Sequence, residues 1–212
     1  MSGFWTSFKR NRPLKKAQHF LVVGIGNPGG EYAETRHNVG FMVLDALSDS
    51  EGCRFRRFGQ GHVSSWDVDF KSGLLAKPGT FVNNSGAYVK YLVKRFKIDV
   101  DNVLVVHDDI ALEAGLYKFK FGGGAVGHKG LVSIIESLGA SDFYRLRVGI
   151  GRPQHGASRV DWVLSPFTQE QLEVLGDVLR RCLTAVADFA TKGGVAAMNI
   201  HNKRTRERGK LG

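Results

Sequence analysis

The chain has 212 residues, 42% of them hydrophobic and 24% charged, which are proportions typical of a soluble globular protein. Its net charge is +10, yet residues 1–20 and 199–212 hold ten basic side chains and one acidic side chain, so the body between them is nearly neutral. This distribution indicates basic tails that attract phosphate backbones or merely aid solubility. No apolar run approaches the roughly 20 residues needed to cross a bilayer, which excludes a transmembrane helix.

The cellular compartment is indicated by the cysteines and by the start of the chain. Cys53 and Cys182 fit no metal-binding or redox spacing, and the first 20 residues contain no apolar stretch of a secretory signal. Both features favour a reducing compartment, and we predict the cytoplasm. An organelle is the alternative, because the first 20 residues are rich in Arg and Lys and lack acids.

Short apolar runs alternate with segments of helical periodicity along the chain. In chain order, we predict a strand at 19–24, a helix at 38–48, strands at 62–70 and 73–78 with a tight turn at 71–73, a helix at 85–96, strands at 102–109 and 116–121, a helix at 131–138, a strand at 144–151 and a long last helix from 168. Ser85 is the predicted N-cap of its helix. Thr168 and Gln171 have the spacing of a capping box, and Gly193 follows the predicted helix end.

This alternation predicts an α/β fold, with a single domain built on a mixed, mostly parallel twisted sheet that has helices on both faces. We divide the chain into a basic N-terminal extension at 1–18, one domain at 19–200 and a basic C-terminal tail at 201–212. No repeat, low-complexity stretch or linker divides the domain further.

Two glycine-rich segments resemble nucleotide-binding loops but lack essential parts of them. The segment VVGIGNPGG contains G-x-G-x-x-G, but Pro28 removes a backbone donor and the helical periodicity starts only near Val39, so the dinucleotide fingerprint is incomplete. In GGGAVGHKG the glycines have P-loop spacing, but His128 stands where a lysine is required. We therefore predict no nucleotide cofactor.

Polar side chains gather at the junctions between the predicted strands and the following loops or helices. They are Asn27, His37, Asn38, Asn83, Asn84, His107, Asp108, Asp109 and His128. Ligands bind at the carboxyl ends of strands in open α/β sheets, so convergence at one rim is expected. A histidine oriented by an aspartate can take a proton from water, and asparagine amides can stabilise an oxyanion. No nucleophile motif and no zinc motif is present, so this set suits metal-free hydrolysis by an activated water.

Four segments, in this order, resemble the signatures of the bacterial-type peptidyl-tRNA hydrolase family: VGIGNPGGEYAETRHNVGF, KPGTFVNNSG, VHDDIALEAGLYKFKFGGGAVGHKGL and FYRLRVGIGRP. The resemblance covers residues 19–200. Members cleave the ester between a peptide and the 3′ ribose of tRNA. The resemblance thus implies a monomeric enzyme of translation that acts on peptidyl-tRNA, without cofactor, metal or membrane.

The resemblance also implies a role for each matching residue. His37 is the implied catalytic base, Asp108 the carboxylate that orients it, and Asn27 and Asn83 the amides that position the peptide and the reacting carbonyl. The implied contacts to the rest of the substrate are Tyr32, Phe81, Val82, His128 and Lys129. The implied contacts to the 5′ phosphate of tRNA are Lys118 and Arg147, to which strand alternation adds Lys120 and Arg145.

Two departures from the family pattern bear on function. Val82 replaces the usual methionine and is expected to shorten an apolar wall of the substrate pocket. Lys129 replaces the usual asparagine and is expected to contact phosphate or, through its charge, to alter turnover. A non-catalytic RNA-binding relative, similar to organellar splicing factors, is the alternative to an enzyme. The four implied catalytic residues favour the enzyme.

Overall fold

The computed structural model describes residue 14, residues 18–153 and residues 155–208. Most of the predicted basic N-terminal extension, and residues 209–212 of the predicted tail, lie outside this range. The strands are β1 (Phe20–Gly24), β2 (Arg56–Phe58), β3 (Gly61–Val68), β4 (Lys71–Pro78), β5 (Val103–Asp109), β6 (Tyr117–Phe121) and β7 (Tyr144–Gly149). The helices are α1 (Val39–Ser50), α2 (Ser85–Phe96), α3 (Lys129–Leu138), α4 (Arg159–Leu164), α5 (Gln169–Lys192) and α6 (Gly194–Arg208).

The seven strands form one sheet in the order β2-β3-β4-β1-β5-β7-β6. The four central strands, β4, β1, β5 and β7, are parallel, and antiparallel strands flank them on both edges. All five residues of β1 are buried, as expected for a central strand covered on both faces. The predicted fold class, a mixed sheet with a parallel core, is confirmed.

Helices cover both faces of the sheet and bury two hydrophobic cores. Phe20 and Val22 of β1 point into the core under α1, α5 and α6, whereas Leu21 and Val23 point into the core under α2 and α3. This alternation follows from the two-residue period of a strand. Among the described residues, no helix is long and apolar enough to span a membrane.

Two local predictions are wrong. The hairpin between β3 and β4 turns at Asp69 and Phe70, not at 71–73, because Asp69 adopts the left-handed conformation at φ 49°, which Asp tolerates. Ser85 is not the N-cap of α2 but its first residue, and it is fully buried. Asn84 holds the cap position. The capping box of Thr168 and Gln171 at the start of α5 is confirmed.

The last helix, α6, runs through the predicted boundary between domain and tail at residue 200. His201 is buried, and its ring bonds to the Tyr117 hydroxyl of β6 at 2.8 Å and to Asp188 of α5 at 2.9 Å. Asn202 exchanges two hydrogen bonds with the Phe119 backbone of β6. The chain at 201–202 therefore belongs to the packed domain.

Candidate active site

The carboxyl end of the sheet brings two histidines onto one aspartate. His37 Nδ1 lies 2.7 Å from Asp108 Oδ1, and His128 Nε2 lies 3.0 Å from the same oxygen. Asp108 is the second-to-last residue of the central strand β5 and is almost completely buried, whereas the side chains of His37 and His128 are 14% and 10% exposed. A single carboxylate oxygen therefore accepts from two imidazoles at the edge of solvent.

His37 is the middle residue of a 3-10 turn, Arg36–Asn38, and the residues before and after it are both buried. Arg36 donates to Gln171 Oε1 of α5 and to two backbone carbonyls at the end of α4, and its guanidinium lies 3.6 Å from the centre of the Trp162 ring. Asn38 bonds to both backbone groups of Asn27. These bonds give the imidazole one position relative to the sheet. Sequence reasoning placed Asn38 among the polar residues of the rim but assigned no role to Arg36, for which only its adjacency to His37 could have indicated one.

The glycines of VVGIGNPGG allow α1 to lie directly against the sheet. A Cβ on Gly24 would collide with the Gly40 carbonyl of α1, and a Cβ on Gly40 would collide with the backbone of Ile25. Gly29 adopts φ 116°, a conformation that L side chains rarely adopt. The motif therefore shapes a close strand-to-helix contact.

Asn27 faces the same site from the end of β1. Its Oδ1 accepts from the backbone N–H of Val82 at 3.0 Å, which joins the loops that follow β1 and β4. Its Nδ2 bonds to no described residue, so this amide remains the donor available to a ligand. Asn83 lies in the next 3-10 turn, before α2, with an exposed side chain.

The tautomers of the two histidines follow from their second partners. His128 is the N-cap of α3, and its Nδ1 accepts from Leu131 N–H at 3.4 Å, so its proton sits on Nε2 and points at Asp108. His37 donates Nδ1–H to Asp108, and its Nε2, which then carries the lone pair, bonds to no described residue. Of the two rings, only His37 therefore offers a free basic nitrogen.

Electrostatics keep the shared carboxylate charged. Burial favours the neutral acid, but the electrostatic attraction and the N–H donors of the neighbouring His128 and His37 outweigh burial and hold the pKa of Asp108 well below its usual range. Behind this pair, burial and the nearby His128 lower the pKa of His107 well below its usual range, although Asp108 opposes the shift. The His107 ring packs edge-on against His128, with centroids 4.9 Å apart. His107 is thus a neutral wall of the site.

The ligand atoms of His37, Asp108 and His128 lie within 4.8 Å of one another, so this group could also hold a metal ion. Metal binding would require His37 Nδ1 and His128 Nε2 both to lose their protons. The N···O distances of 2.7 and 3.0 Å, and the cap accepted by His128, suit hydrogen bonds. The absence of a metal stays a prediction.

Three of the predicted substrate contacts, Tyr32, Phe81 and Lys129, lie in segments that adjoin the residues described above. The rings of Tyr32 and Phe81 meet edge to face with centroids 6.0 Å apart, and Phe81 is 53% exposed. Lys129 is exposed at the first position of α3. A cation there opposes the helix macrodipole, which is compatible with a role in binding an anion. Lys129 also stands beside His128, the residue that contacts Asp108.

The structure corrects two of the predicted substrate contacts. Val82 is only 3% exposed and belongs to the core under α2 and α3, so it does not form an open pocket wall. Arg145 is 2% exposed, and its guanidinium donates to the carbonyls of Gly123 and Gly124. The glycine-rich loop therefore covers Arg145, which cannot reach a phosphate.

The remaining predicted phosphate contacts lie together on one face of the sheet. Lys118 of β6 stands directly opposite Arg147 of β7, and Lys120 continues the row. Arg147 pairs with Asp109 at 2.5 Å, whereas Lys118 and Lys120 form no ion pair with a described residue. Like charges placed directly opposite destabilise a sheet. We refer to Lys118, Lys120 and Arg147 as the β6–β7 clamp.

These features define a hydrolase-type site on an α/β sheet, and comparison with known proteins agrees. The model of the peptidyl-tRNA hydrolase family matches residues 21–209. The chain is 43% identical to a peptidyl-tRNA hydrolase of Desulfitobacterium hafniense over 183 residues, which cover 86% of this chain and 99% of that protein. It is 40% identical to one of Cytophaga hutchinsonii over 185 residues, covering 87% of this chain and 98% of that protein.

Solved structures give the same assignment. The fold matches crystalline peptidyl-tRNA hydrolase from Acinetobacter baumannii with a TM-score of 0.80 and 30% identity, covering 88% of this chain and 96% of that chain. A complex of peptidyl-tRNA hydrolase with N-propanol matches with a TM-score of 0.81 and 31% identity, over 85% of this chain and 93% of that one. The chain belongs to the peptidyl-tRNA hydrolase family.

Proposed function

We propose that this chain hydrolyses the ester of peptidyl-tRNA, with His37 as the general base and without a metal. The observation that carries the proposal is the 2.7 Å bond from His37 Nδ1 to Asp108 Oδ1, because it leaves Nε2 as the one free imidazole lone pair of the histidine pair. A base must be unprotonated at the atom that faces water. The buried carboxylate then stabilises the imidazolium that forms.

In the proposed reaction, His37 Nε2 takes one proton from a water molecule, and the hydroxide attacks the ester carbonyl. The tetrahedral intermediate collapses by breaking the bond to the 3′ oxygen of the ribose. The His37 imidazolium returns its proton to that oxygen, so the products are tRNA with a free hydroxyl and a peptide carboxylic acid, which then releases its remaining proton to solvent. Charge balances at each step, because Asp108 stays ionised throughout.

Two amides are proposed to place the carbonyl. Asn27 is hydrogen-bonded to the 3-10 turn of His37, and its Nδ2 bonds to no residue that the structure describes. Asn83 is exposed in the turn that Asn27 contacts through Val82 N–H. Donors of this kind stabilise a developing oxyanion. Tyr32, Phe81 and Lys129 are proposed to contact the substrate at the outer side of the site.

The β6–β7 clamp is proposed to hold the 5′ phosphate of tRNA. Its three cations lie on one sheet face, and among the described residues only Asp109 pairs with them, through Arg147, so that Lys118 and Lys120 have no ion-pair partner there. Contacts of this kind fix the register of a nucleic acid without reading its sequence. We further propose that the enzyme acts as a monomer in the cytoplasm, with peptidyl-tRNA as its partner.

Peptide release from N-blocked aminoacyl-tRNA, followed in EDTA, tests the proposal. His37→Ala should slow release roughly 10²- to 10⁴-fold, whereas His62→Ala, which changes an exposed histidine of β3, should leave the rate unchanged. Loss of wild-type activity in EDTA would contradict the metal-free mechanism. Binding of tRNA without any release by the wild type would instead identify a non-catalytic RNA-binding relative.

A further inference from the structure

The outer side of α2 and the neighbouring edge strand β2 form a basic surface far from the clamp. Residues 54–66 contain three basic and no acidic side chains, and residues 82–98 contain four basic and no acidic ones. The α2–β2 surface is defined here by the members on the α2 side of the sheet: Arg56, Lys90, Tyr91, Lys94, Arg95 and Lys97.

Helix α2 and strand β2 are in direct contact, so these residues form one surface. The Tyr88 hydroxyl of α2 donates to the Phe58 carbonyl of β2 at 2.8 Å, and the Phe58 ring lies 5.9 Å from that of Tyr91. Arg56 is two residues before Phe58 and therefore shares its strand face. The basic row of α2 thus continues onto the edge of the sheet.

The cations of this surface are not neutralised by the fold. None of the five forms an ion pair with a described residue. Lys94, Arg95 and Lys97 lie near the carboxyl end of α2, where the macrodipole favours them. The macrodipole does not account for Lys90, which lies in the middle of α2, or for Arg56, which lies on β2. Lys90 is also repelled by Lys94, one helical turn away. Outside these five cations, residues 21–198 hold 15 basic and 19 acidic side chains.

An exposed ring stands within this positive field. Tyr91 is 43% exposed and stacks on Tyr88, with ring centroids 6.3 Å apart. An aromatic face beside several unpaired cations is the combination on which unpaired bases stack while phosphates are bound. A surface that merely kept the edge strand soluble would need the charges but not the ring.

The α2–β2 surface lies too far from the clamp to contact the 5′ end of the tRNA that the clamp is proposed to hold. Strand β2 and strand β6 are the two opposite edges of the sheet, separated by six interstrand steps, or about 29 Å at 4.8 Å each. The His37 site lies between them at the ends of β1 and β5. A tRNA whose 5′ phosphate lies at the clamp and whose 3′ ester lies at His37 leaves the protein on the clamp side.

We propose that the α2–β2 surface binds a second RNA, separate from the tRNA in the active site, through its phosphate backbone and an unpaired base stacked on Tyr91. The inference depends on the proposed function in one respect, since the clamp and His37 define where the substrate tRNA lies. Binding itself does not require hydrolysis and is measured without an ester.

A fluorescent RNA hairpin without a 3′ single strand tests the proposal by anisotropy over a range of salt concentrations. In Lys90→Gln/Lys94→Gln, affinity should fall and the slope of log K against log salt should become shallower by about 2. Gln has nearly the helix propensity of Lys, so α2 should persist. Arg180→Gln/Lys192→Gln, which removes two exposed charges from α5 on the other sheet face, should change neither value. Tyr91→Leu should weaken hairpin binding but not binding of a blunt duplex.

Two further readouts identify the bound RNA. A saturating concentration of acceptor-stem RNA that carries no amino acid should leave hairpin binding intact. In Lys90→Gln/Lys94→Gln, kcat/KM for peptidyl-tRNA should be unchanged. Displacement of the hairpin, or a loss of kcat/KM, would overturn the proposal by assigning the surface to the substrate tRNA. An equal loss of affinity in Arg180→Gln/Lys192→Gln would contradict the proposal, because it would show that binding depends only on the net charge of the protein. If Lys90→Gln/Lys94→Gln bound the hairpin as well as the wild type but bound anionic lipid vesicles more weakly, the proposal would also be overturned, because the surface would then bind lipid rather than RNA.

Discussion

At the scale of single residues, the two histidines that contact Asp108 differ in how many of their ring nitrogens form hydrogen bonds. His128 uses Nδ1 to cap α3 and Nε2–H to contact Asp108 Oδ1, so both of its nitrogens are engaged. His37 uses only Nδ1. In the proposed mechanism, the cap of α3 therefore makes His128 a fixed donor and leaves His37 as the base.

Substitution of His128 separates a positioning role from direct substrate binding. We expect His128→Ala to lower kcat roughly 10- to 100-fold with little change in KM, because Asp108 loses a charge-assisted hydrogen bond. It should also lower the free energy of unfolding by about 1 kcal/mol through loss of the cap. His128→Asn supplies a good cap and should restore stability but not kcat. Steady-state kinetics and urea unfolding measure both effects. An increase in KM at constant kcat would instead indicate substrate contact.

The convergence of the polar residues at one end of the sheet could be predicted from the sequence better than the solvent exposure of individual side chains. Asn27 and His37 lie between β1 and α1, and Asp108 lies near the end of β5. Parallel strands bring their carboxyl ends to one rim, so the convergence of these residues was predictable. The burial of Arg145 was not, because strand alternation predicts which face a side chain takes but not that Gly123 and Gly124 fold over it. Likewise, the support that Arg36 gives to His37 depends on α4 and α5, more than 120 residues away in sequence.

At the scale of elements, the long strands and helices were predictable, and the short or atypical ones were not. Strand β1 and helix α5 have the apolar patterns that burial requires, and the capping box marks where α5 begins. Strand β2 has three residues, too few to show alternation. Helix α6 begins beside two glycines and ends in a basic run, so composition indicated a tail. It is held through His201 and Asn202, which no periodicity indicates.

The contact between α5 and α6 makes stability depend on pH through Asp188. Its carboxylate pairs with Lys192 at 2.7 Å and with His201 at 2.9 Å. Burial would raise the pKa of Asp188, but these two partners outweigh burial and lower it. A depressed folded pKa adds stability above the unfolded value of about 3.9, and this stability is lost as the pH falls through the folded pKa.

We therefore expect Asp188→Asn to reduce the free energy of unfolding at pH 7 by roughly 1.5–3 kcal/mol. The difference from wild type should narrow as the pH falls below about 4, as measured by urea unfolding at several pH values. Asp177→Asn, at a more exposed carboxylate that pairs with arginines of α5, is the control and should cost less than about 1 kcal/mol. A difference that stays constant down to pH 3 would mean that Asp188 acts through packing rather than charge.

At the scale of the whole molecule, the two proposed RNA-binding surfaces and the proposed active site occupy different parts of one sheet. The clamp occupies the β6–β7 edge, the His37 site lies at the ends of the central strands, and the α2–β2 surface occupies the opposite edge. Strand order fixes these separations, because each strand is hydrogen-bonded to its neighbours. Substitutions at one edge should thus leave the chemistry at the centre intact, and this independence allows binding and hydrolysis to be tested separately.

The most direct test of the account is a double-mutant cycle on His37 and Asp108, measured as single-turnover release of peptide from N-blocked aminoacyl-tRNA. If the pair acts as one unit, each of His37→Ala and Asp108→Asn should slow release at least about 100-fold, and the double variant should be no slower than His37→Ala alone. Losses that multiply in the double variant would contradict the account, because they would show that Asp108 acts without His37.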